Sequence, residues 1–219
     1  MHSSRLTFAD LPDRLPIFPL AGVLLLPHGH LPLNIFEPRY LEMVDDALKS
    51  DRLIGMVQPK TGCEGTSVYQ TGCAGRIVNF AEAEGGRYLI TLSGICRFRI
   101  GQEVGEKRSY RQVVPDWTGF DGDMKPQAKT VTVDRARLNR LLQSYFRQQE
   151  MSCDWDKVDI AADTDLLTAL EMICPLKPSE KQALLEASDV QHRAELFLAM
   201  IEMAVSHPCT DREDGGCCH

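Results

Sequence analysis

The chain has 219 residues, 43% of them apolar, with a formal net charge of −7 and a pI near 5.4. That apolar share can build a sizeable core, in one large or two small domains, while the acidic balance argues against a nucleic-acid binder that relies on a broad basic face, since such binding draws on phosphate neutralisation. The longest uncharged run, LPIFPLAGVLLLP (Leu15 to Pro27), is broken by three prolines and one glycine and is too short for a bilayer. The first residues show no basic start followed by an apolar stretch and a small-residue cleavage site, so a cytoplasmic location is expected.

In chain order, VLLLP (Val23 to Pro27) and LPLNIF (Leu31 to Phe36) flank the glycine-centred HGH and predict a hairpin. IFEPRY then marks a strand-to-helix seam. Pro38 suits the first helical position, where its missing N–H costs nothing, and Phe36 with Leu41 occupies the places of a hydrophobic staple. Tyr40, Val44, Ala47 and Leu48 make the apolar face of this helix, against Glu42, Asp45, Asp46 and Lys49 on the solvent side. Further strands are predicted over Arg52 to Pro59, Gly75 to Ala83 and Arg87 to Leu92, the last two joined through EGG. In Ile95 to Val104, Cys96, Phe98 and Ile100 alternate with Arg97 and Arg99; YRQVVPDW (Tyr110 to Trp117) closes the series. Short strands with a single early helix point to a small barrel or folded sheet.

From Thr118 to Lys129 the composition shifts to glycine, aspartate, proline and lysine, as in a linker. The period then becomes helical over Val133 to Gln149, Asp163 to Ile173, Pro178 to Ala187 and Val190 to Val205, the last with Asp189 as N-cap. The expected organisation is a β unit over 15–118, a linker over 119–130, a helical subdomain of about four helices over 131–206, and a tail, HPCTDREDGGCCH, whose composition reads as disordered.

Chemistry-bearing motifs are few. There is no phosphate loop ending in Gly-Lys-Ser/Thr, no H-E-x-x-H helix and no Gly-x-Ser-x-Gly elbow. His28 and His30 read as a solvated turn, the pairs Asp45/Asp46 and Glu82/Glu84 as solvated surface, and Met200 and Met203 as core packing. The eight cysteines read mostly as reduced thiols. Cys63 and Cys73, ten residues apart, fit neither a metal knuckle nor a redox pair; His207, Cys209, Cys217, Cys218 and His219 offer soft ligands whose metal capture would be adventitious. No cofactor is expected.

The blocks P-x-x-P-L near the start, IFEPRY, G-x-x-G-R-I, G-R-Y and L-x-G-x-x-R-F-R-I, in that order from Leu15 to Val114, resemble the N-terminal substrate-binding domain of the Lon protease family. The resemblance implies an α+β fold: a PUA-like β pseudobarrel with one early helix, followed by a helical bundle. In full-length Lon this region precedes an ATPase module and a Ser-Lys protease module, which have no counterpart here, so a stand-alone, non-catalytic module is expected. Its partners would be unfolded or exposed protein segments, or a Lon-type protease, held in a groove between barrel and helices. Phe18, Leu20, Phe36, Tyr40 and Phe98 are the candidate apolar walls and Arg39, Arg76 and Arg97 the candidate polar anchors, each with core packing or internal pairing as its competing role. An RNA-binding PUA-like module and an enzyme with an unrecognised site are the alternatives.

Overall fold

The computed structural model describes residues 7–60, 67–105, 108–126 and 131–206. Its longest strand, β5 (Arg87–Val104), organises the sheet. The first part of β5 pairs antiparallel with β2 (His30–Ile35), most of its length with β4 (Thr71–Ala83), and its end with β6 (Arg111–Asp116). From β4 the pairing continues to β3 (Leu53–Val57), in parallel to β1 (Leu15–Pro19), and antiparallel to β6. The ring β5-β4-β3-β1-β6-β5 therefore closes on itself, with β2 attached outside it. This is the expected pseudobarrel.

The expected hairpin is absent. Val23 to Pro27 forms no strand, and β2 pairs with β5 instead. Leu24, Leu25 and Leu26 are buried in succession, whereas strand alternation would send Leu25 to the opposite face. The Leu26 carbonyl accepts from the Gly29 N–H at 3.0 Å and presses so close to Gly94 that a Cβ there would lie 1.9 Å from the oxygen. The strand of this region lies upstream, as β1. Along β2, the Gly29 carbonyl accepts from the Gly94 N–H, so alternation turns the backbone of Leu31 and Leu33 toward β5 and that of Pro32 outward. Pro32 thus removes no ladder bond.

Inside the ring, Phe98 packs with Leu15, Ile17, Val57 and Val113. Gly55 and Gly72 make room for it, since a Cβ on either would stand 2.7 Å from its Cζ. A larger core lies outside, where α1 (Pro38–Leu48) buries Tyr40, Met43, Val44 and Ala47. Pro38 opens this helix after Glu37 as N-cap, but Phe36 is 64% exposed, not the burial that a staple with Leu41 would give. The entry is fixed instead by Tyr40, whose ring centroid lies 4.2 Å from that of Phe18.

Among the described residues five α-helices follow: α2 (Arg135–Gln148), α3 (Trp155–Ile160), α4 (Asp163–Ile173), α5 (Pro178–Glu186) and α6 (Val190–Ser206). The one not anticipated, α3, is short and opens on Asp154, whose carboxylate caps the Lys157 N–H. Leu138, Leu142, Phe146, Leu167, Leu184 and Phe197 join the larger core, each such burial contributing about 1.5–3 kcal/mol. Polar ties fasten α5 to the barrel. The Gln182 amide donates to the Thr71 carbonyl at 3.1 Å, and Gln58 donates to the Pro178 carbonyl at 3.1 Å. Lys181 is buried, its Nζ donating to the carbonyls of Gly22 and Met172, both at 2.9 Å. Among the described residues no helix is long and apolar enough to cross a membrane.

Candidate functional site

The β1–β6 ladder stops at Ile17 opposite Arg111. Beyond it, Phe18 and Pro19 stay paired with Met56 and Val57 of β3, and Pro19 has no N–H with which to continue toward β6. On the other side of the gap, Ser109 and Tyr110 are drawn to α1. The Tyr110 hydroxyl donates to Asp46 at 2.8 Å, Arg108 donates to the Tyr110 oxygen at 2.6 Å and pairs with Asp46, and Ser109 donates to Glu42. Burial, then the Asp46 contact, pushes the Tyr110 phenol up to about 12. Asp46 therefore braces a wall of the site and is not simply solvated surface.

The seam opens into a cleft of about 230 Å³. Ile17, Pro19, Tyr40, Pro59, Val68 and Tyr110 give it an apolar lining, completed by Ser109, Arg39 and Arg111. Pro59 and Val68 face each other as an isolated β-bridge. The Arg39 guanidinium lies 4.5 Å from the Tyr40 ring centroid, a cation–π contact, and donates to Glu37 at 2.7 Å. Arg111 grips Glu103 at two points, 2.7 and 3.0 Å. Burial holds the Tyr40 phenol above its ordinary value, while Arg39 pulls it down.

Of the residues singled out in the sequence, Arg39 and Tyr40 line this cleft and Phe18 supports Tyr40 from below. Leu20, half-buried, follows β1 and donates its N–H to the Val57 carbonyl at 3.0 Å. Phe36 is exposed but outside the lining. Three others are elsewhere. Phe98 is fully buried in the ring, and Arg76 sits on β4 opposite Leu53 and Ser93. Arg97 pairs with Asp123 at 2.8 Å and donates to the carbonyls of Leu185 and Ala187, which ties β5 to the end of α5. Ile17, Pro19, Val68, Ser109, Tyr110 and Arg111 were not foreseen, because only the ring closure brings them together.

The barrel–helix junction itself holds two cavities, about 240 Å³ beside Arg97, Asp123, Asp189 and Arg193, and about 410 Å³ beside His28, His30, Asp165 and Met172. A further groove of about 550 Å³ runs between α2, α5 and α6, where Met200, half-buried, packs against the larger core as expected but Met203 is 59% exposed. Cys73 is buried, and burial raises its thiol well above the ordinary value. Cys63 and the cysteines and histidines of the tail lie outside the described residues.

A strand ring with one early helix packed in the core outside it and further helices joining that core defines the N-terminal domain class of Lon proteases. A Lon N-terminal domain protein from Xanthomonas campestris has this fold at a TM-score of 0.59 and 22% identity, covering 85% of this chain and 97% of that one. The N-terminal domain of Mycobacterium avium complex Lon protease matches at a TM-score of 0.60 and 18% identity, covering 86% and 98%. The chain belongs to the ATP-dependent protease La (LON) substrate-binding domain family, whose profile matches residues 14–203. Among full-length relatives, Lon protease 2 of Myxococcus xanthus is 24% identical over 88% of this chain and 24% of its own length. Lon protease of Syntrophus aciditrophicus is 26% identical over 90% of this chain and 25% of its own length. The chain thus spans about a quarter of the length of these relatives.

Proposed function

We propose that the chain binds extended or exposed segments of other proteins, and that the cleft between β1, α1 and the start of β6 receives an apolar side chain of the bound segment. The observation that carries this reading is the lining itself: apolar side chains from separate parts of the chain converge at a break in a strand ladder, with arginines at the rim. Such a mixture suits apolar anchoring with a few orienting polar contacts. Membership of a substrate-binding domain family agrees with it. Among the described residues the lining contains no histidine, cysteine or carboxylate to serve as a catalytic base, which favours binding over catalysis at this site. A net charge of −7 disfavours the RNA-binding alternative.

The test is fluorescence anisotropy with a labelled protein kept unfolded by reduction and carboxymethylation, set against its folded form. Ser109 is exposed at the rim, so Ser109→Trp plugs the cleft from outside the core. Wild-type chain should bind the unfolded form and lose at least about tenfold in affinity with the plug. Equal affinity of wild type and plug would remove this cleft from the binding site.

A further inference from the structure

The cleft has a charge character that its apolar floor does not require. In a chain of net −7, the described lining holds two guanidiniums, Arg39 and Arg111, and no carboxylate, although Asp46 and Glu42 brace Tyr110 and Ser109 from behind. Glu37, which pairs with Arg39, and Glu103, one partner of Arg111, stand outside the lining with side chains 43% and 50% exposed. The Arg39–Glu37 pair, half-exposed on both sides, is weak, so a ligand carboxylate can join or exchange with it at little cost, while Arg111 keeps its two-point hold on Glu103 and adds its charge. Both arginines also line the same cleft as Tyr40. The space is modest: about 230 Å³ falls below the roughly 300–1,000 Å³ of sites that engulf a small molecule whole. It suits one bulky side chain of a longer segment.

We infer that the cleft selects, within an extended chain, a bulky apolar residue directly flanked by aspartate or glutamate. The inference rests on the proposed segment-binding role and adds its specificity. The apolar side chain settles between Pro19, Tyr40, Pro59 and Tyr110, while the neighbouring carboxylate reaches the guanidiniums of Arg39 and Arg111, whose planar donor forks match it. An internal acidic residue is the source of that carboxylate, since a site of one-residue size on a barrel mouth meets a passing chain.

The experiment uses the full chain and labelled peptides, acetylated and amidated, with one Phe-Glu, Phe-Lys or Ala-Glu pair in a Gly-Ser background. Phe-Glu should bind at least about tenfold tighter than either of the others, and its advantage over Phe-Lys should shrink with salt and in the Arg39→Gln and Arg111→Gln variants. Equal binding of Phe-Glu and Phe-Lys, both above Ala-Glu, would overturn the charge preference while leaving segment binding intact. Binding of none of the peptides, together with no binding of the unfolded protein, would overturn both. A Phe-Glu preference that survives in both variants would place the carboxylate elsewhere and sink the assignment to Arg39 and Arg111. Tighter binding of a peptide ending in Phe with a free carboxylate would show that a chain terminus, not an internal acid, is read.

Discussion

Arg97 and Asp123 form a two-point ion pair, Nε to Oδ2 at 2.8 Å and Nη2 to Oδ1 at 2.9 Å, between β5 and the segment that leaves the barrel. The remaining guanidinium nitrogen, Nη1, donates to the Leu185 carbonyl at 3.1 Å and to Ala187 at 2.6 Å. One side chain thus holds the strand, the exit segment and the end of α5. Both partners are nearly buried, so truncating one leaves the other without compensation. Arg97→Met should cost about 3–5 kcal/mol, and adding Asp123→Leu should restore much of that loss. Urea unfolding of the two single variants and the double variant measures the coupling; additive losses would refute it.

Glu171 supplies a pH dependence. It is fully buried on α4, with Oε2 accepting from Arg193 of α6 at 2.7 Å and Oε1 lacking a partner among the described residues. Arg193 also reaches the Thr168 hydroxyl at 3.4 Å. Burial pushes the carboxyl from 4.5 up to about 7, against the opposing pull of Arg193. A carboxyl whose folded value is raised holds its proton more tightly when folded, so stability falls as pH rises between these two values and is lowest above the higher one. The melting temperature should drop from pH 5 to pH 8, by an amount equivalent to on the order of 2–3 kcal/mol, and Glu171→Gln should flatten the profile. An identical slope in the variant would assign the effect to other groups.

Gly94→Ala should be among the most damaging single-methyl additions in the chain. The new Cβ would meet the Leu26 carbonyl oxygen at 1.9 Å, a backbone atom with no rotamer to yield. A loss of about 3 kcal/mol or more is expected, visible as a shifted denaturation midpoint or as insoluble expression. A variant with wild-type stability would mean that the Val23–Pro27 crossing can move.

Tyr110→Phe tests the brace on the cleft wall. It removes the hydroxyl shared by Asp46 and Arg108 without changing the ring that lines the site. Global stability should fall by about 1 kcal/mol, and amide exchange should rise at Arg108 to Arg111. Unchanged exchange there would show that Ser109 and Glu42 suffice to hold the wall.

The fold was largely legible because its local cues are strong. Pro38 at the head of an amphipathic run specifies α1, and Cys96, Phe98 and Ile100 alternating with arginines specify the second half of β5, which reads in sequence as separate from Arg87 to Leu92 but which the fold makes one strand with it. The misreading of Val23 to Pro27 has a physical cause: three consecutive leucines, all buried, look the same in sequence whether they form a strand or a loop crossing the core. The cleft was legible only at Arg39 and Tyr40. Val68 and Tyr110 acquire their positions from the ring closure, and no spacing rule links them. Arg97 was named as a ligand anchor, yet its partner Asp123 lies in the stretch whose composition reads as a linker. A residue's charge is visible in sequence; whether the fold already spends it internally is not.

Closure of the ring leaves β2 as the one strand of the described sheet with an unpaired side, and there the outward backbone positions are His30, Pro32 and Asn34, the middle one without an N–H. Under the proposed segment-binding role, the chain would continually be offered strands that could zip onto any open sheet, without end and without selectivity. With Pro32 breaking the row of donors midway along that rim, a strand added there would lack its central bond, so the edge is a poor template for unselective pairing.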